Sequence, residues 1–340
     1  MAETMEIEPE WSVREPGELT WWAGDLRQRI IARVTPDPNP DEGEFVQILI
    51  ETDVVRQDPI SDGLATHAVS LNQVGSYSGL APSATDPSVL ALVANVPVWP
   101  DNVRKRKDLV LFVAAVQVAE AYGLAAELEE ALGVPRASTA HPASGTRPRA
   151  EPKIDELWER SWDPPSPSEL GAPSQFAGPL MVECVERLQG PPCVLCTGSE
   201  EGVAAEFPFG VTASIIELRT GETHARRLVT GLLILERYPF DASDGLSPDK
   251  CLELAAMERE ARLPGASLGG WTISSEGYLA HAAFLPNSAV GLSHPFDWLV
   301  SAAGRARWVT EAVFGLSWEN DYDQCLKNKR EMLETLRNRT

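Results

Sequence analysis

The sequence predicts an α+β protein made of two tandem domains, each an antiparallel sheet flanked by helices. Two stretches, 64–132 and 251–314, share one order: a helical segment, two short strands, a Pro-Asp or Pro-Asn turn, and a long helix rich in small residues. Pro100 and Pro286, which begin the two turns, lie 186 positions apart (286 − 100). We therefore expect a fold unit that is used twice, and a pseudo-symmetric molecule that could serve as a binding platform.

Composition and charge limit the classes of partner. The 340 residues, 43% of them hydrophobic, are enough for two domains of ordinary size. The 50 Asp and Glu residues outnumber the 29 Lys and Arg residues, and the net charge of −21 repels phosphate backbones. We expect no nucleic-acid partner, and we interpret the short basic run at 104–107 as a solvated turn at a helix start.

The sequence shows no pattern for export or membrane insertion. The N-terminal segment is acidic, whereas a secretory signal begins with basic residues and continues with apolar ones. The longest apolar run, 109–119, is interrupted by Gln117 and is shorter than the roughly 20 residues that span a bilayer. Five cysteines without the spacing of a disulfide framework fit a reducing compartment. We expect a cytoplasmic protein without a membrane partner.

Changes in composition divide the chain into five segments. The predicted boundaries are an acidic arm at 1–17, a first domain at 18–133, a Pro/Ala/Ser-rich linker at 134–175, a second domain at 176–316 and a charged C-terminal helix at 317–340.

The elements of the first domain follow from its hydrophobic spacing. Segment 18–34 has apolar residues at helical intervals and predicts an amphipathic helix, with a hairpin strand as the alternative for its second half. Segment 45–55 alternates and is apolar on both faces, which predicts a central strand. The remaining predicted elements are a helix at 64–77, a strand at 89–99 and a buried helix at 108–132 that ends at Gly133.

The second domain opens with a helical face at 176–188. Glycine-punctuated strands typical of an antiparallel sheet are predicted at 193–197, 203–209, 212–219 and 227–238. The predicted elements after them are a helix at 248–262, a hairpin of strands at 270–274 and 278–285, a helix at 296–314 and a terminal helix at 320–337.

Tryptophans supply the candidate partner-binding residues. Trp21 and Trp22 cannot both face inward on one helix, so we expect one of them to be part-exposed. Trp158 and Trp162 share one face of a short helical island in the linker, which is either a strap packed on one domain or a docking element. Because tryptophan is favoured in the buried centres of interfaces, we take these four as candidates for partner binding.

The sequence carries no motif for catalysis, a cofactor or a metal. A glycine-rich nucleotide loop, a nucleophile elbow and a zinc-protease helix are all absent. Cys193 and Cys196 form a Cys-x-x-Cys, but without a second pair they do not predict zinc, and their position at a strand entry favours core-facing thiols. His224 is expected in a charged turn, and His281 as a half-buried sheet residue. We expect no catalytic residue and no cofactor.

Short segments in both halves carry a family resemblance. In the second half these are 268–271, 283–287 and 306–308, and in the first they are 68–72, 96–102 and 116–124. With the order helix, antiparallel strands, helix, two strands and helix, the chain resembles the type III secretion chaperone-like and YbjN-like proteins. It is similar in length and layout to actinobacterial proteins with such units in tandem, which are regarded as peptide-binding chaperones. The front half of the first domain departs from the family, because it offers one clear strand where about three are expected.

The resemblance implies a mode of action. It implies a noncatalytic chaperone or adaptor that holds an extended segment of a partner protein, in a secretion, toxin or defence system. Two fused domains would reproduce a chaperone dimer within one chain. The client would add to a sheet edge or fill shallow apolar grooves, and the acidic surface would favour clients with basic segments.

Two other functions remain open. The chain could be a structural subunit of a larger assembly, with the linker helix and the 320–337 tail as docking arms. It could also be an enzyme whose site is assembled in space, which a deep pocket lined by carboxylates with shifted pKa values would indicate.

Overall fold

A computed structural model describes residues 7–36, 44–147, 176, 178–188, 191–226, 229–289, 291–292 and 294–337. It contains two six-stranded antiparallel sheets flanked by helices, which confirms the predicted α+β class with two tandem domains. The first domain contains β1 (Ser12–Glu15), β2 (Glu18–Trp22), β3 (Arg27–Pro36), β4 (Glu44–Arg56), α1 (Asp62–Gln73), β5 (Gly79–Pro82), β6 (Val89–Val98) and α2 (Val103–Leu132). The second contains α3 (Pro179–Arg187), β7 (Leu195–Ser199), β8 (Gly202–Phe209), β9 (Thr212–Thr223), β10 (Thr230–Arg237), α4 (Pro248–Ala261), β11 (Gly270–Ile273), β12 (Leu279–Pro286), α5 (Pro295–Trp308) and α6 (Trp318–Arg337).

The two sheets are assembled in the same order. The first runs β1-β2-β3-β4-β6-β5, and the second runs β7-β8-β9-β10-β12-β11. In each, four strands form a meander, a helix follows, a hairpin inserts its second strand beside the fourth strand of the meander, and a helix closes the unit. The repeat therefore includes the meander strands and is longer than the two stretches recognised in the sequence.

The first domain opens with strands where the sequence predicted a helix. Segment 18–34 forms β2 and most of β3, so the amphipathic helix is wrong and the hairpin alternative is correct. Leu19 and Ile30, which share a helical stripe in the pattern, meet instead as a cross-strand pair. β1, from within the predicted acidic arm, pairs with β2, so four strands precede α1.

The long helix α2 is the core element of the first domain. It begins at Val103, so the basic run at 104–107 forms helical residues and not a turn. Among the described residues α2 is the one helix long and apolar enough to cross a membrane, but 67% of its most apolar window is buried inside the protein. Such burial is typical of the core helix of a water-soluble domain.

The first part of the predicted linker packs on the first domain. The Ala137 amide donates to the Val54 carbonyl at 3.0 Å, and the Thr139 amide donates to the Asp25 carbonyl at 3.0 Å. Ala137 is fully buried. The ordered body of the first domain therefore continues beyond the predicted boundary at 133.

The two domains contact each other through equivalent elements. α1 lies against β11, and α4 lies against β5. The Asn95 amide donates to the Ser267 carbonyl at 2.9 Å, and the Phe284 amide donates to the Ser76 carbonyl at 3.4 Å. These two bonds are structurally equivalent, because Ser76 lies three residues before β5 and Ser267 lies three residues before β11. The chain is thus a dimer of domains with a pseudo-two-fold junction.

The junction fixes which residues are equivalent. Asn95 of β6 is structurally equivalent to Phe284 of β12, so two residues further along these strands Pro97 is equivalent to Pro286. The sequence predicted that Pro100 is the equivalent of Pro286, which is wrong by three positions. The interval of 186 does hold for the helix caps Ser61 and Ser247 (247 − 61). A different number of residues connects helix to strand in each half.

Candidate partner-binding edge

Both tryptophans of β2 are buried. Trp21 is 5% exposed and Trp22 is 4% exposed, so the expectation that one of them is part-exposed is wrong. They point to opposite faces because neighbouring residues of a strand alternate. Trp21 Nε1 donates to Gln28 Oε1 at 2.7 Å, and Trp22 Nε1 donates to Thr139 Oγ1 at 3.0 Å. The other two candidates lie outside the described residues: Trp158 and Trp162.

The segment after α2 provides the cover over Trp22. The His141 ring meets the Trp22 indole edge-on, with ring centroids 4.8 Å apart. Arg147 Nη1 donates to the Trp22 carbonyl at 2.6 Å, and its other nitrogen pairs with Glu8 at 3.1 Å. Thr139 lies 117 residues after Trp22 in the sequence. Residues so far away leave no signal near Trp22, so its burial could not be predicted from the sequence.

Four strands lie at the ends of the two sheets, and three of them are covered or guarded. β5 and β11 meet at the domain junction, where an added Cβ on Gly79 would lie 2.4 Å from the Gly270 Cα. β1 carries the exposed charges of Arg14 and Glu15, which discourage pairing with another strand. The fourth strand, β7, has the sequence Leu-Cys-Thr-Gly-Ser, without a charge or a proline.

β7 is an open edge in the described part of the chain. It pairs with β8 on one side, and no described strand pairs with its other side. Its last three residues, Thr197, Gly198 and Ser199, are exposed, and Leu195 and Cys196 are half-buried. An edge strand presents alternate amide and carbonyl groups without a partner in its own sheet. β7 can therefore receive an extended segment of about five residues.

The surroundings of β7 are packed on one face and acidic at one end. α3 lies so close over the strand that a Cβ on Gly198 would meet the Val185 Cγ2 at 2.5 Å. Glu200 and Glu201 form the exposed turn after β7, and Glu186 is exposed on α3. These carboxylates favour a partner segment that carries basic side chains.

Behind the sheet of the first domain lies a neutral polar layer. Gln117, the residue that interrupts the apolar run of α2, is fully buried. Its Nε2 donates to the Ser78 hydroxyl at 2.9 Å and to the Ile50 carbonyl at 3.2 Å, and its Oε1 accepts from the Thr52 hydroxyl at 2.7 Å. Gln28 Nε2 donates to Thr52 Oγ1 at 2.9 Å. This layer pairs the polar groups of the core without any charge.

The equivalent layer of the second domain is ionic. Arg305 donates to Glu258 through Nε at 2.6 Å and to Glu236 through Nη1. The Trp271 indole donates to Glu258 at 2.7 Å, and the Tyr238 hydroxyl donates to Glu236 at 2.8 Å. Burial raises the pKa of Glu236 to about 7, although Arg305 acts in the opposite direction.

His281 belongs to the same layer and is fully buried, whereas the sequence predicted half-burial. Its Nδ1 lies 3.5 Å from Glu236 Oε1. Burial, assisted by the charge of Arg305, holds the pKa of His281 well below its ordinary value, so the ring is neutral. The cavity beside Glu236 and Arg305 measures about 10 Å³, which is room for about one water molecule.

Polar side chains join the two domains across the junction. Asn72 binds both backbone groups of Leu80, and its Nδ2 also donates to the Trp271 carbonyl of the second domain at 3.0 Å. The His224 Nε2 donates to the Gly75 carbonyl at 2.9 Å. His224 lies in the connection between β9 and β10, where the sequence predicted a charged turn, and it is at the same time a buried contact between the domains.

A further cavity, of about 380 Å³, opens between the first turns of α2 and α5. It is lined by Lys105, Arg106, His294 and Asp297, together with apolar and small residues. Charges of both signs on its walls do not select one class of ligand. Among the described residues, no group of three or more His, Cys, Asp and Glu side chains could hold a metal ion.

The C-terminal helix, predicted as a docking arm or charged tail, is attached to its own domain along its first turns. The Trp318 ring stacks on Phe207 with centroids 5.3 Å apart, and Cys325 is buried. Lys329 Nζ pairs with Glu206 on β8 at 2.6 Å. Only farther along does α6 expose an apolar side chain, Met332, which is 46% accessible.

No known protein family, no curated protein and no solved structure matches this chain. Its function is therefore argued from its own residues.

Proposed function

We propose that this chain is a noncatalytic chaperone or adaptor that holds an extended segment of a partner protein as an added strand on β7. The observation that supports the proposal is the contrast between the edges of the two sheets. The last three residues of β7 are exposed and the strand carries neither charge nor proline, whereas β1 is guarded by Arg14 and Glu15. Natural proteins usually block an edge of this kind, so an edge that no described residue blocks favours a docking function.

Strand addition explains how one surface could hold an unfolded client. The backbone of β7 would supply hydrogen bonds that any sequence can satisfy, and side-chain preferences would come from the flanking groups. The acidic turn at Glu200 and Glu201 would select for basic residues near one end of the segment. The net charge of −21 would keep the complex soluble.

The doubled architecture supports the same proposal. We place the chain, as part of the proposal, with the secretion-chaperone-like and YbjN-like proteins, whose dimers its two domains would imitate. A fused pair holds both halves of such a platform at fixed geometry without an association step. We also propose that the protein acts in the cytoplasm, where its five free cysteines would remain reduced.

Hydrogen exchange with a defined peptide panel tests the docking site. The panel contains unstructured peptides of about ten residues that alternate Val or Thr with Lys, and matched peptides with Glu in place of Lys. We expect the basic peptides to bind and to slow amide exchange in β7 more than in any other strand. Replacing Thr197 with Lys should weaken binding, because it adds a guarding charge to the edge and repels a basic client.

Thr223→Lys is the matched control, because Thr223 is an exposed strand residue on β9, two strands away from β7 in the sheet. It should leave binding unchanged. Peptides that bind but protect α6 or the domain junction would contradict strand addition at β7. A saturating panel from which nothing binds would count against the chaperone function and favour a subunit of a larger assembly.

A further inference from the structure

The helix beside the open edge of β7 has an exposed apolar side. α3 begins next to the end of β7, where the Gly178 amide donates to the Glu200 carbonyl at 2.9 Å, and it runs back toward the start of the strand. Val185 faces the strand, because a Cβ on Gly198 would lie 2.5 Å from the Val185 Cγ2. Val182, one turn earlier on α3, is 42% exposed. The strand that a client would join is therefore flanked by two valines.

The packing of α3 shows that these valines look out over the edge. α3 lies over β7 and β8, and its neighbour α5 lies over β9 and β10. Glu183 marks the side of α3 that faces α5, because its Oε2 lies 3.4 Å from His294 Nε2. Successive residues of a helix are about 100° apart, so Val182 and Val185 lie on the side away from α5. We call these two residues the aliphatic wall of the β7 edge.

The two faces of β7 differ in polarity. Cys196 and Gly198 lie on the α3 face and carry small side chains, or none, so there is room beneath the wall for a larger side chain. The opposite face begins with the half-buried Leu195 and continues with the exposed hydroxyl groups of Thr197 and Ser199. A strand added to β7 would thus meet an aliphatic surface on one face and a mostly polar surface on the other.

The first domain has no such helix at its equivalent edge among the described residues. There a single 3-10 turn, Pro9–Trp11, precedes β1, and β1 is guarded by charges. In the second domain the nine-residue helix α3 takes that place, and the strand below it is uncharged. The edge without guarding charges is therefore also the edge that carries an aliphatic wall.

We propose that the client of β7 is an amphipathic strand whose aliphatic residues face α3. Residues of an extended segment alternate between its faces, so aliphatic side chains at every second position would pack against the wall. The residues between them would be polar or basic, because the exposed carboxylates of Glu186, Glu200 and Glu201 lie around the same edge. This inference rests on the proposed function, to which it adds the chemical class of the client.

Two peptides that differ only at alternate positions test the wall. One alternates Val with Lys and the other alternates Thr with Lys, over about ten residues. Valine and threonine are both β-branched and both favour extended backbone, so hydrogen bonding to β7 alone would hold the two peptides equally well. We expect the full-length protein to bind the Val peptide about tenfold more tightly, because partial burial of an aliphatic side chain contributes about that factor. Both peptides should slow amide exchange in β7.

Val182→Thr tests whether α3 supplies this preference. The variant places a hydroxyl group of the same shape on the wall, and it should lower the preference for the Val peptide to about threefold. Val34→Thr is the matched control, because it makes the same exchange at a valine of the first domain that is 63% exposed. It should leave the preference at about tenfold. Circular dichroism confirms that both variants are folded.

The outcomes separate this inference from the function on which it rests. Equal affinity for the two peptides, with β7 protected by both, would overturn the aliphatic wall and leave strand addition standing. A preference for the Val peptide that Val182→Thr does not reduce would also overturn the proposal, because the apolar contact would then lie elsewhere. If neither peptide protects β7, the proposed function fails, and this inference fails with it.

Discussion

At matching positions of β4 and β10 the first domain has Thr52 and the second has Glu236. The helix above supplies Gln117 in one case and Arg305 in the other. The same backbone arrangement therefore surrounds a neutral hydrogen-bonded layer in the first domain and an ionic layer in the second. This fold therefore requires a polar group at this position of the core, but the group can be either neutral or charged.

Removal of one side chain should lower stability by different amounts in the two layers. When a neutral buried network loses one member, its partners are left with unpaired hydrogen-bonding groups. Each such group lowers the stability of the fold by about 1–3 kcal/mol. An ionic network that loses its cation leaves buried carboxylates without a counter-charge, which costs about 3–5 kcal/mol. The layer of the second domain is thus the more vulnerable of the two, although it contains the stronger individual interactions.

The largest expected effect comes from Arg305→Met. This change leaves Glu236 and Glu258 buried without their shared cation, so we expect the second domain to lose about 3–5 kcal/mol. Gln117→Met, the equivalent change in the first domain, should cost about 1–3 kcal/mol. Hydrogen exchange in urea, read separately for the two sheets, measures both. Equal losses in the two domains would show that the charge of the buried layer does not decide the cost of damaging it.

The next effect is a dependence on pH that the ionic layer of the second domain should show and the neutral layer of the first domain should not. Because the pKa of Glu236 is raised to about 7 from an ordinary 4.5, the folded protein keeps a proton that the unfolded chain releases. Stability from this group is therefore lost as pH rises from about 5 to about 7. Glu236→Gln should remove this slope, so its stability relative to wild type should rise by about 2 kcal/mol between pH 5 and pH 8. A parallel pair of pH curves would show that Glu236 is ionised throughout.

Alanine substitutions at two glycines of the domain junction should lower stability by smaller and unequal amounts. A Cβ on Gly79 would lie 2.4 Å from the backbone of Gly269 and Gly270, whereas a Cβ on Gly270 would meet the Asn72 side chain at 2.5 Å. Backbone cannot move aside as a side chain can, so Gly79→Ala should cost about 1–3 kcal/mol and Gly270→Ala less. Urea unfolding and small-angle scattering, which detects separated domains, test the order. The reverse order would mean that Asn72 is the more rigid part of the junction.

The smallest effect should be the same in both halves. Ser61 Oγ accepts from the Leu64 amide at 3.3 Å, and Ser247 Oγ accepts from the Lys250 amide at 3.2 Å, each as the cap of its helix. Ser61→Ala and Ser247→Ala should each cost about 1 kcal/mol. Urea unfolding of the two variants measures this directly. A clear inequality would show that the helices α1 and α4 support the junction to different degrees.

Local patterns were enough to predict the second domain. Its strands alternate between glycine-rich turns, and Ser247 followed by a proline marks the start of α4, so each element could be read from a few neighbouring residues. The first domain failed at segment 18–34, where two short strands and a turn happen to space apolar residues three or four apart. Pairing with β4 and cover by α2 decided the outcome, and neither is visible in the segment.

The candidate site was less accessible to sequence reasoning than the fold. The strand at 193–197 was predicted, but its place at the outer end of a sheet depends on the pairing of distant strands. Trp21 and Trp22 were docking candidates because both could not face inward on one helix, but the two form part of a strand and the segment 139–147 covers the second of them. Gln117 did leave a signal, because a glutamine inside an otherwise apolar helix must find buried partners.

The inequality of β1 and β7 also sets a limit on self-association. Two copies of this chain could pair β7 with β7 about a two-fold axis, and each would then have used the open edge that its described part offers. The second outer edge is charged, so the pair could not recruit a third copy. A chain with two open edges could extend without end into a fibre, whereas a chain with one open edge could form no more than a pair.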